Sequence, residues 1–138
     1  MSESLRSVEG LTTIASSHDP KQTIDRLETE IHAKGMTVFA RIDHAAGAAE
    51  VGLTLRPTEL IIFGNARGGT PLMQSVQTVG IDLPLKVLVW QDAANNTWLS
   101  YREPSWIAQR HGVADAEQVV SKMAAALSAM ARTAANPD

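Results

Sequence analysis

A glycine-rich polar segment, GNARGGT (residues 64–70), directly follows the apolar run LIIF (residues 60–63). Glycine frees the backbone for a sharp turn, and the N–H groups that open a following helix can hold a carboxylate or phosphate. The segment lacks the Gly-Lys-Ser/Thr ending of a Walker phosphate loop. A plain strand-to-helix turn is the alternative explanation. The predicted ligand-binding residues are Asn65, Arg67, Gly68, Gly69 and Thr70.

Three further side chains are candidates for catalysis: His44, Asp82 and Lys86. Lys86 precedes the apolar run at residues 87–89, and burial there would favour its neutral, nucleophilic form, whereas Asp82 as a partner would keep it charged. His44 has the side chain most often used as a general base. The alternatives stay open: Lys86 reaches from a strand end to water, Asp82 caps a turn, and His44 only packs.

Other chemistries have less support in the sequence. The chain has no cysteine, which excludes disulfides and thiolate chemistry. The histidines are scattered without metal-ligand spacing, so no metal site is predicted. The cofactor is left unknown, because a haem held by one axial histidine would leave no motif. No serine lies in a Gly-x-Ser-x-Gly elbow.

Hydrophobic periodicity predicts alternating strands and helices that place these residues. The predicted strands are residues 11–16, 37–42, 59–63, 85–90 and 98–101, the last two as a hairpin. The predicted helices start at Pro20 with Asp19 as N-cap, cover 44–51, 71–79 and 104–111, and end with a long helix capped by Asp115. Thr70 and Pro71 are the expected start of the helix at 71–79. The fold class is a single α+β domain with a mainly antiparallel or mixed sheet of about five strands and helices packed on it.

Length and charge limit the partners. A chain of 138 residues is one domain by length, with residues 1–10 predicted as an N-terminal extension, 11–133 as the domain and 134–138 as a frayed tail. The net charge of −3 and the few aromatic residues argue against nucleic acid as a partner.

No apolar run reaches the roughly 18 residues of a membrane helix, and no signal peptide is visible, so a soluble cytoplasmic protein without membrane contact is expected.

An ordered set of short motifs carries a family resemblance. The motifs are His44 with the alanines after it, Phe63-Gly64-Asn65, GTPLM (residues 69–73), DLPLK (residues 82–86), Tyr101 and Pro104. Together they resemble the domain of unknown function 302 family over residues 11–113. The resemblance implies a compact bacterial or archaeal α+β domain that forms a homodimer, with no settled activity. Ala66 departs from the pattern, since the family usually has proline after its Gly-Asn pair, which leaves this turn less rigid.

Three hypotheses of function follow. The first is a homodimeric domain that binds a small anionic or carbonyl-bearing ligand at a strand-end site. The second is an enzyme in which Lys86 and His44 perform acid-base or covalent chemistry on that ligand. The third is a structural or protein-interaction module in which the motif residues only make the fold and the dimer. Whether the protein is an enzyme stays open.

Overall fold

The structure of this protein is a computed structural model that describes residues 8–137. The strands are β1 (Leu11–Ser16), β2 (Thr37–Asp43), β3 (Thr58–Gly64), β4 (Leu85–Gln91) and β5 (Thr97–Arg102). The α-helices are α1 (Pro20–Ala33), α2 (His44–Glu50), α3 (Ala66–Ser75), α4 (Pro104–Arg110) and α5 (Glu117–Ala135). A short 3-10 helix, Gln77–Ile81, lies between α3 and β4. Most of the predicted N-terminal extension (residues 1–10) and the last residue of the predicted tail lie outside the described residues.

Within residues 8–137 the strands form one sheet in the order β1-β5-β4-β3-β2, and every neighbouring pair is antiparallel. β4 and β5 are the predicted hairpin. Chain neighbours thus pair in most of the sheet, with α2 in the connection between β2 and β3 and α3 in the connection between β3 and β4. The predicted single α+β domain, with about five strands and helices packed on the sheet, is confirmed.

The hydrophobic core lies between one face of the sheet and the helices α1 and α5. Strand residues with no accessible surface, such as Ile61, Phe63 and Val87, pack against Leu27 of α1 and Leu127 of α5. Burial of each such side chain stabilises the fold by about 1.5–3 kcal/mol before the loss of conformational entropy. The two helices therefore fix the sheet, and with it the ends of the strands.

The opposite face, called here the open face, is covered less well. Alternation along the strands places Leu60, Ile62, Leu88, Trp90 and Trp98 on it, and all five are only half buried. The stacked rings of Trp90 and Trp98 have centroids 6.2 Å apart. An apolar sheet face with this little cover is unusual for a protein that acts as a monomer.

Local signals explain the start and end of α1. The Asp19 carboxylate accepts a hydrogen bond from the Gln22 N–H at 2.7 Å, and Pro20 occupies the first helical position. After the helix, Gly35 has a φ of +75°, a left-handed conformation that suits glycine. The predicted cap is confirmed, and Gly35 follows the helix end closely.

The prediction for α3 was wrong at both ends. The helix begins at Ala66 with Asn65 as its N-cap, so Thr70 and Pro71 lie inside it and do not start it. It ends at Ser75, and the separate 3-10 helix follows. Thr70-Pro71 is a strong start signal by sequence, but the Asn65 amide satisfies the first turn one turn earlier.

The prediction for the start of α5 was also wrong. Asp115 does not cap the helix: the N-cap position is Ala116, without a side-chain hydrogen bond. Asp115 has a φ of +60°, a turn conformation that aspartate tolerates better than most residues. At the other end, α5 continues to Ala135, and Ala134 and Ala135 are buried, so the helix reaches into the segment that was expected to fray.

Candidate functional site

The ligand-binding residues predicted from the sequence line a cavity at the start of α3. This cavity, called here the α3 pocket, has a volume of ≈ 590 Å³ and is bounded by residues 65–70, residues 83–85 and the α5 residues Lys122 and Met123. Its size falls in the range of small-molecule sites. The structure therefore brings together the five predicted ligand-binding residues: Asn65, Arg67, Gly68, Gly69 and Thr70.

Asn65 organises the pocket rim. β3 ends at Gly64, and the Asn65 side-chain oxygen accepts a hydrogen bond from the Gly68 N–H at 2.7 Å. The Gly69 N–H donates to the Asn65 carbonyl at 3.1 Å. Within the described part of the chain, the N–H groups of Ala66 and Arg67 have no acceptor. They remain available at the positive end of the helix dipole.

Two cationic side chains, Arg67 of α3 and Lys122 of α5, belong to the same pocket. Both residues are exposed, and neither has a hydrogen-bond or ion-pair partner among residues 8–137. The pocket residues in that range include no aspartate or glutamate. The pocket is therefore electrostatically suited to an anion.

Asp82 lies outside this arrangement. Its carboxylate Oδ2 is 2.6 Å from Nε2 of His111. His111 is the residue that follows α4. The Nδ1 atom of the same ring lies 3.4 Å from the Thr78 hydroxyl. Asp82 thus connects the segment after the 3-10 helix to the end of α4, although its neighbour Leu83 lines the α3 pocket.

Lys86 lies on the open face, in β4. Its Nζ donates hydrogen bonds to the carbonyls of Pro84 at 2.9 Å and Asp82 at 3.4 Å. It lines a second, shallow cavity of ≈ 520 Å³ on that face, together with Leu60 and Trp90. Lys86 and the α3 pocket are therefore on different surfaces of the domain.

His44 is exposed at the first position of α2, whose N-cap is Asp43. The β2–β3 register pairs Thr37 with Gly64 and Asp43 with Glu59. Because the strands are antiparallel, the residue after β2 and the residue after β3 lie at opposite ends of the pair. His44 is therefore remote from Asn65, and the structure does not bring His44, Asp82 and Lys86 into one site.

The ionisable groups with shifted pKa values lie outside the α3 pocket. Hydrogen bonds from Arg41 lower the pKa of the Asp25 and Glu28 carboxyls in α1, and hydrogen bonding to Glu59 raises the pKa of Arg41. Burial raises the pKa of the Tyr101 phenol. The ion pairs of Arg41 with Asp25, Glu28 and Glu59 connect β2 to α1 and β3. The pKa shifts of these groups therefore come from contacts that hold the fold together.

Within residues 8–137, no three histidine, aspartate or glutamate side chains lie close enough together to hold a metal ion. No helix in that range has the length and apolar character needed to cross a membrane.

Several pocket residues had no functional signal in the sequence. Lys122 and Met123 lie more than fifty positions after the glycine-rich segment, and Met36 and Phe39 lie nearly thirty before it. Met123 has the helical spacing of an apolar stripe with Val119 and Leu127, a pattern typical of core packing. A single sequence shows such residues as ordinary helix and strand positions, because only the tertiary fold places them at one cavity.

The chain was compared with known proteins. A family model described as "Domain of unknown function DUF302" matches residues 12–130, which confirms the resemblance drawn from the sequence motifs. A crystal structure of an uncharacterized conserved DUF302 protein from Bacillus stearothermophilus superposes with a TM-score of 0.83. That match covers 92% of this chain and 99% of the other at 20% sequence identity, so it supports the fold alone.

Two curated relatives are named as channels. The chain is 48% identical over 113 residues to the fluoride-specific ion channel FluC 1 of Brucella suis, and equally to FluC 1 of Brucella abortus. The matched segment covers 82% of this chain but only 44% and 42% of those relatives. The chain thus spans less than half the length of the curated relatives that it matches.

Proposed function

The chain belongs to the DUF302 family, and we propose that it is a ligand-binding domain whose α3 pocket holds a small organic anion. The observation that carries this proposal is the position of Arg67 and Lys122, two cations without an ion-pair partner among the described residues, at a cavity of ≈ 590 Å³. The free N–H groups of Ala66 and Arg67 supply further donors. A carboxylate or a similar headgroup has the acceptor oxygens that such donors bind.

The test is isothermal titration of the purified protein with a panel of organic carboxylates and phosphates, preceded by native mass spectrometry to detect any molecule that co-purifies. Arg67→Gln and Lys122→Gln each remove one charge while keeping most of the side-chain length. We expect each to weaken binding by about tenfold, the usual scale for one charge-assisted hydrogen bond.

Arg56→Gln and Lys34→Gln are the matched controls, because both residues are exposed and neither lines the α3 pocket. Their affinity should equal that of the parent protein. The proposal fails if no anion of the panel binds, or if the controls weaken binding as much as the pocket variants do.

We also propose that the domain self-associates through the open face. Five strands about 4.8 Å apart, each with about 3.4 Å per residue, give a face of roughly 500 Å² before side-chain relief. The apolar residues on it include Ile42, which is 41% exposed. Side-chain relief raises the accessible area of each face toward the roughly 800 Å² that each partner buries in a standard interface.

Light scattering after size exclusion tests this association. Leu88→Glu places a charge at the middle of the open face and is expected to give a monomer, while Gln109→Glu, on an exposed position of α4, should leave the dimer intact. A parent protein that is monomeric at micromolar concentration would overturn the proposal.

The channel relatives support a second candidate function. Because the matched segment is under half of each Brucella protein, we propose that this domain also serves as a ligand-responsive module of a fluoride channel. The test compares fluoride efflux from vesicles that contain the whole Brucella suis relative with efflux through the same protein lacking the matched segment. Organic anions should change the flux only in the whole protein, and an equal response of both forms would exclude the module.

A further inference from the structure

We infer that the anion in the α3 pocket carries a single unbranched hydrocarbon chain, so that the ligand resembles a fatty acid; this inference rests on the proposed function. The headgroup would lie at Arg67 and the start of α3, and the chain would extend along the apolar wall of the pocket.

The wall of the α3 pocket is apolar and rich in methionine. Met36, Met73 and Met123 come from three different parts of the chain and all line the pocket. Methionine is unbranched and flexible, and it packs against ligands of variable shape. Leu83 and Leu85 also contribute to the apolar lining. A wall of this kind suits an alkyl chain, which offers no directional contacts.

Glycines bring apolar side chains close to the backbone on one side of the cavity. Gly68 and Gly69 expose backbone where side chains would otherwise stand. A β-carbon on Gly69 would lie 3.6 Å from Leu83 Cδ1 and 3.7 Å from Met73 Cε, and one on Gly80 only 3.1 Å from Met73 Sδ. Leu83 and Met73 therefore pack directly against the backbone of these glycines, which places an apolar surface beside the start of α3.

The described part of the pocket offers few polar partners for a polar ligand body. Among the described pocket residues, the side chains with hydrogen-bonding groups are Asn65, Arg67, Thr70 and Lys122. The Asn65 oxygen is already used by the Gly68 N–H, and Thr70 is exposed. A sugar or nucleotide would leave many of its own groups unpaired in such a pocket, whereas an alkyl chain has none to satisfy.

The experiment is a titration of the full chain with acetate, butyrate, hexanoate, octanoate, decanoate and laurate below their micelle concentrations. Each methylene that is buried against the apolar wall of the pocket should tighten binding by about fourfold, until the chain is longer than that wall. Octylamine, which has a chain of matched length and a cationic headgroup, should not bind.

The outcomes separate the two proposals. If acetate and octanoate bind equally, the chain inference is overturned while the anion site stands. If no carboxylate or phosphate binds, the proposed function falls as well. If octylamine binds as tightly as octanoate, the headgroup assignment is wrong.

A pair of variants on α5 gives an independent readout. Met123→Gln replaces an apolar wall residue by a polar one of similar length, and it should weaken octanoate binding several-fold with little effect on acetate. Ala125→Gln places the same side chain on an exposed position of the same helix and should change neither. An equal effect of Met123→Gln on octanoate and acetate would contradict a chain bound along Met123.

Discussion

The Asp82 carboxylate and the His111 imidazole lie 2.6 Å apart and join two segments that are 29 residues apart in the sequence. An ionised carboxylate only accepts hydrogen bonds, so Nε2 is the donor, and in the neutral ring Nδ1 is left as an acceptor facing the Thr78 hydroxyl. The pair therefore holds the residues after the 3-10 helix against the end of α4. Its geometry is that of a structural contact.

This contact predicts the effect of substituting Asp82. Asp82→Asn and His111→Gln should each lower the free energy of unfolding by about 1 kcal/mol or less, because the Asp82 side chain is 46% exposed. Urea unfolding of both single variants and the double variant measures the coupling. Ligand affinity should stay unchanged in all three, and a loss of affinity in Asp82→Asn would return Asp82 to the binding site.

Substitution of Gly69 in α3 should raise the stability of the protein and lower its affinity for the ligand. Gly69→Ala adds a methyl group at ordinary contact distance from Leu83 and Met73, and alanine is favoured over glycine in a helix by about 1 kcal/mol. The melting temperature should rise by roughly 2–4 °C. Because the methyl group enters the α3 pocket, octanoate affinity should fall.

Gly47→Ala is the matched control for this variant. It lies in α2, and a β-carbon there would meet nothing within 4 Å. Calorimetry should show a similar stabilisation, while titration should show no change in affinity. Equal affinities for Gly69→Ala and Gly47→Ala would mean that Gly69 does not contact the ligand.

The elements of this fold could largely be predicted from the sequence because their signals are local. The β-branched run at residues 11–16 and the Asp19-Pro20 start act within a few residues, and the structure has both where they were expected. The start of α3 was predicted wrongly because two cap signals compete. Asn65 prevails although Pro71 then lies inside the helix without an N–H to donate.

The candidate site could be predicted only in part, since strand direction decides which loops meet. His44 and Asn65 each follow a strand, so the sequence predicts both as strand-end residues. The antiparallel pairing of β2 and β3 places them at opposite ends. The glycine-rich segment was found because its residues are contiguous, whereas Lys122 reaches the pocket only through the packing of α5.

The buried Asp92 carboxylate predicts a large loss of stability on substitution. It accepts hydrogen bonds from the N–H groups of Ala94 and Asn96 and from Trp98 Nε1, each at 2.9 Å. Asp92→Ala leaves these donors unsatisfied and should lower the free energy of unfolding by about 2–3 kcal/mol. Thermal unfolding would show a melting temperature lower by roughly 8 °C.

Asn95→Gly tests whether the effect is specific to the carboxylate. Asn95 lies in the same turn with a φ of +66°, which glycine adopts without strain. Its melting temperature should be equal to or slightly above that of the parent protein. A similar loss in both variants would show that the hairpin turn tolerates no substitution, whatever the role of Asp92.

The ion-pair group around Arg41 predicts a pH-dependent stability. Its guanidinium donates to Glu59 at 2.8 Å, to Asp25 at 2.9 Å and to Glu28 at 3.1 Å. These hydrogen bonds lower the pKa of the Asp25 and Glu28 carboxyls. A carboxyl whose folded pKa is lowered stabilises the fold above its unfolded pKa of about 4, and the contribution disappears as the pH falls through the folded pKa.

Arg41→Met keeps the aliphatic stem and removes the charge, so it should be less stable than the parent protein at about pH 7, and the difference should be smaller at about pH 3. The difference at neutral pH should be about 1 kcal/mol, since Asp25 is half exposed and solvent screens the pair. Urea unfolding at both pH values measures it, with Arg56→Met as the control at an exposed position outside the group. A difference that stays constant with pH would contradict the prediction, because loss of the carboxylate charges of Asp25 and Glu28 would then have no effect on the stability that Arg41 provides.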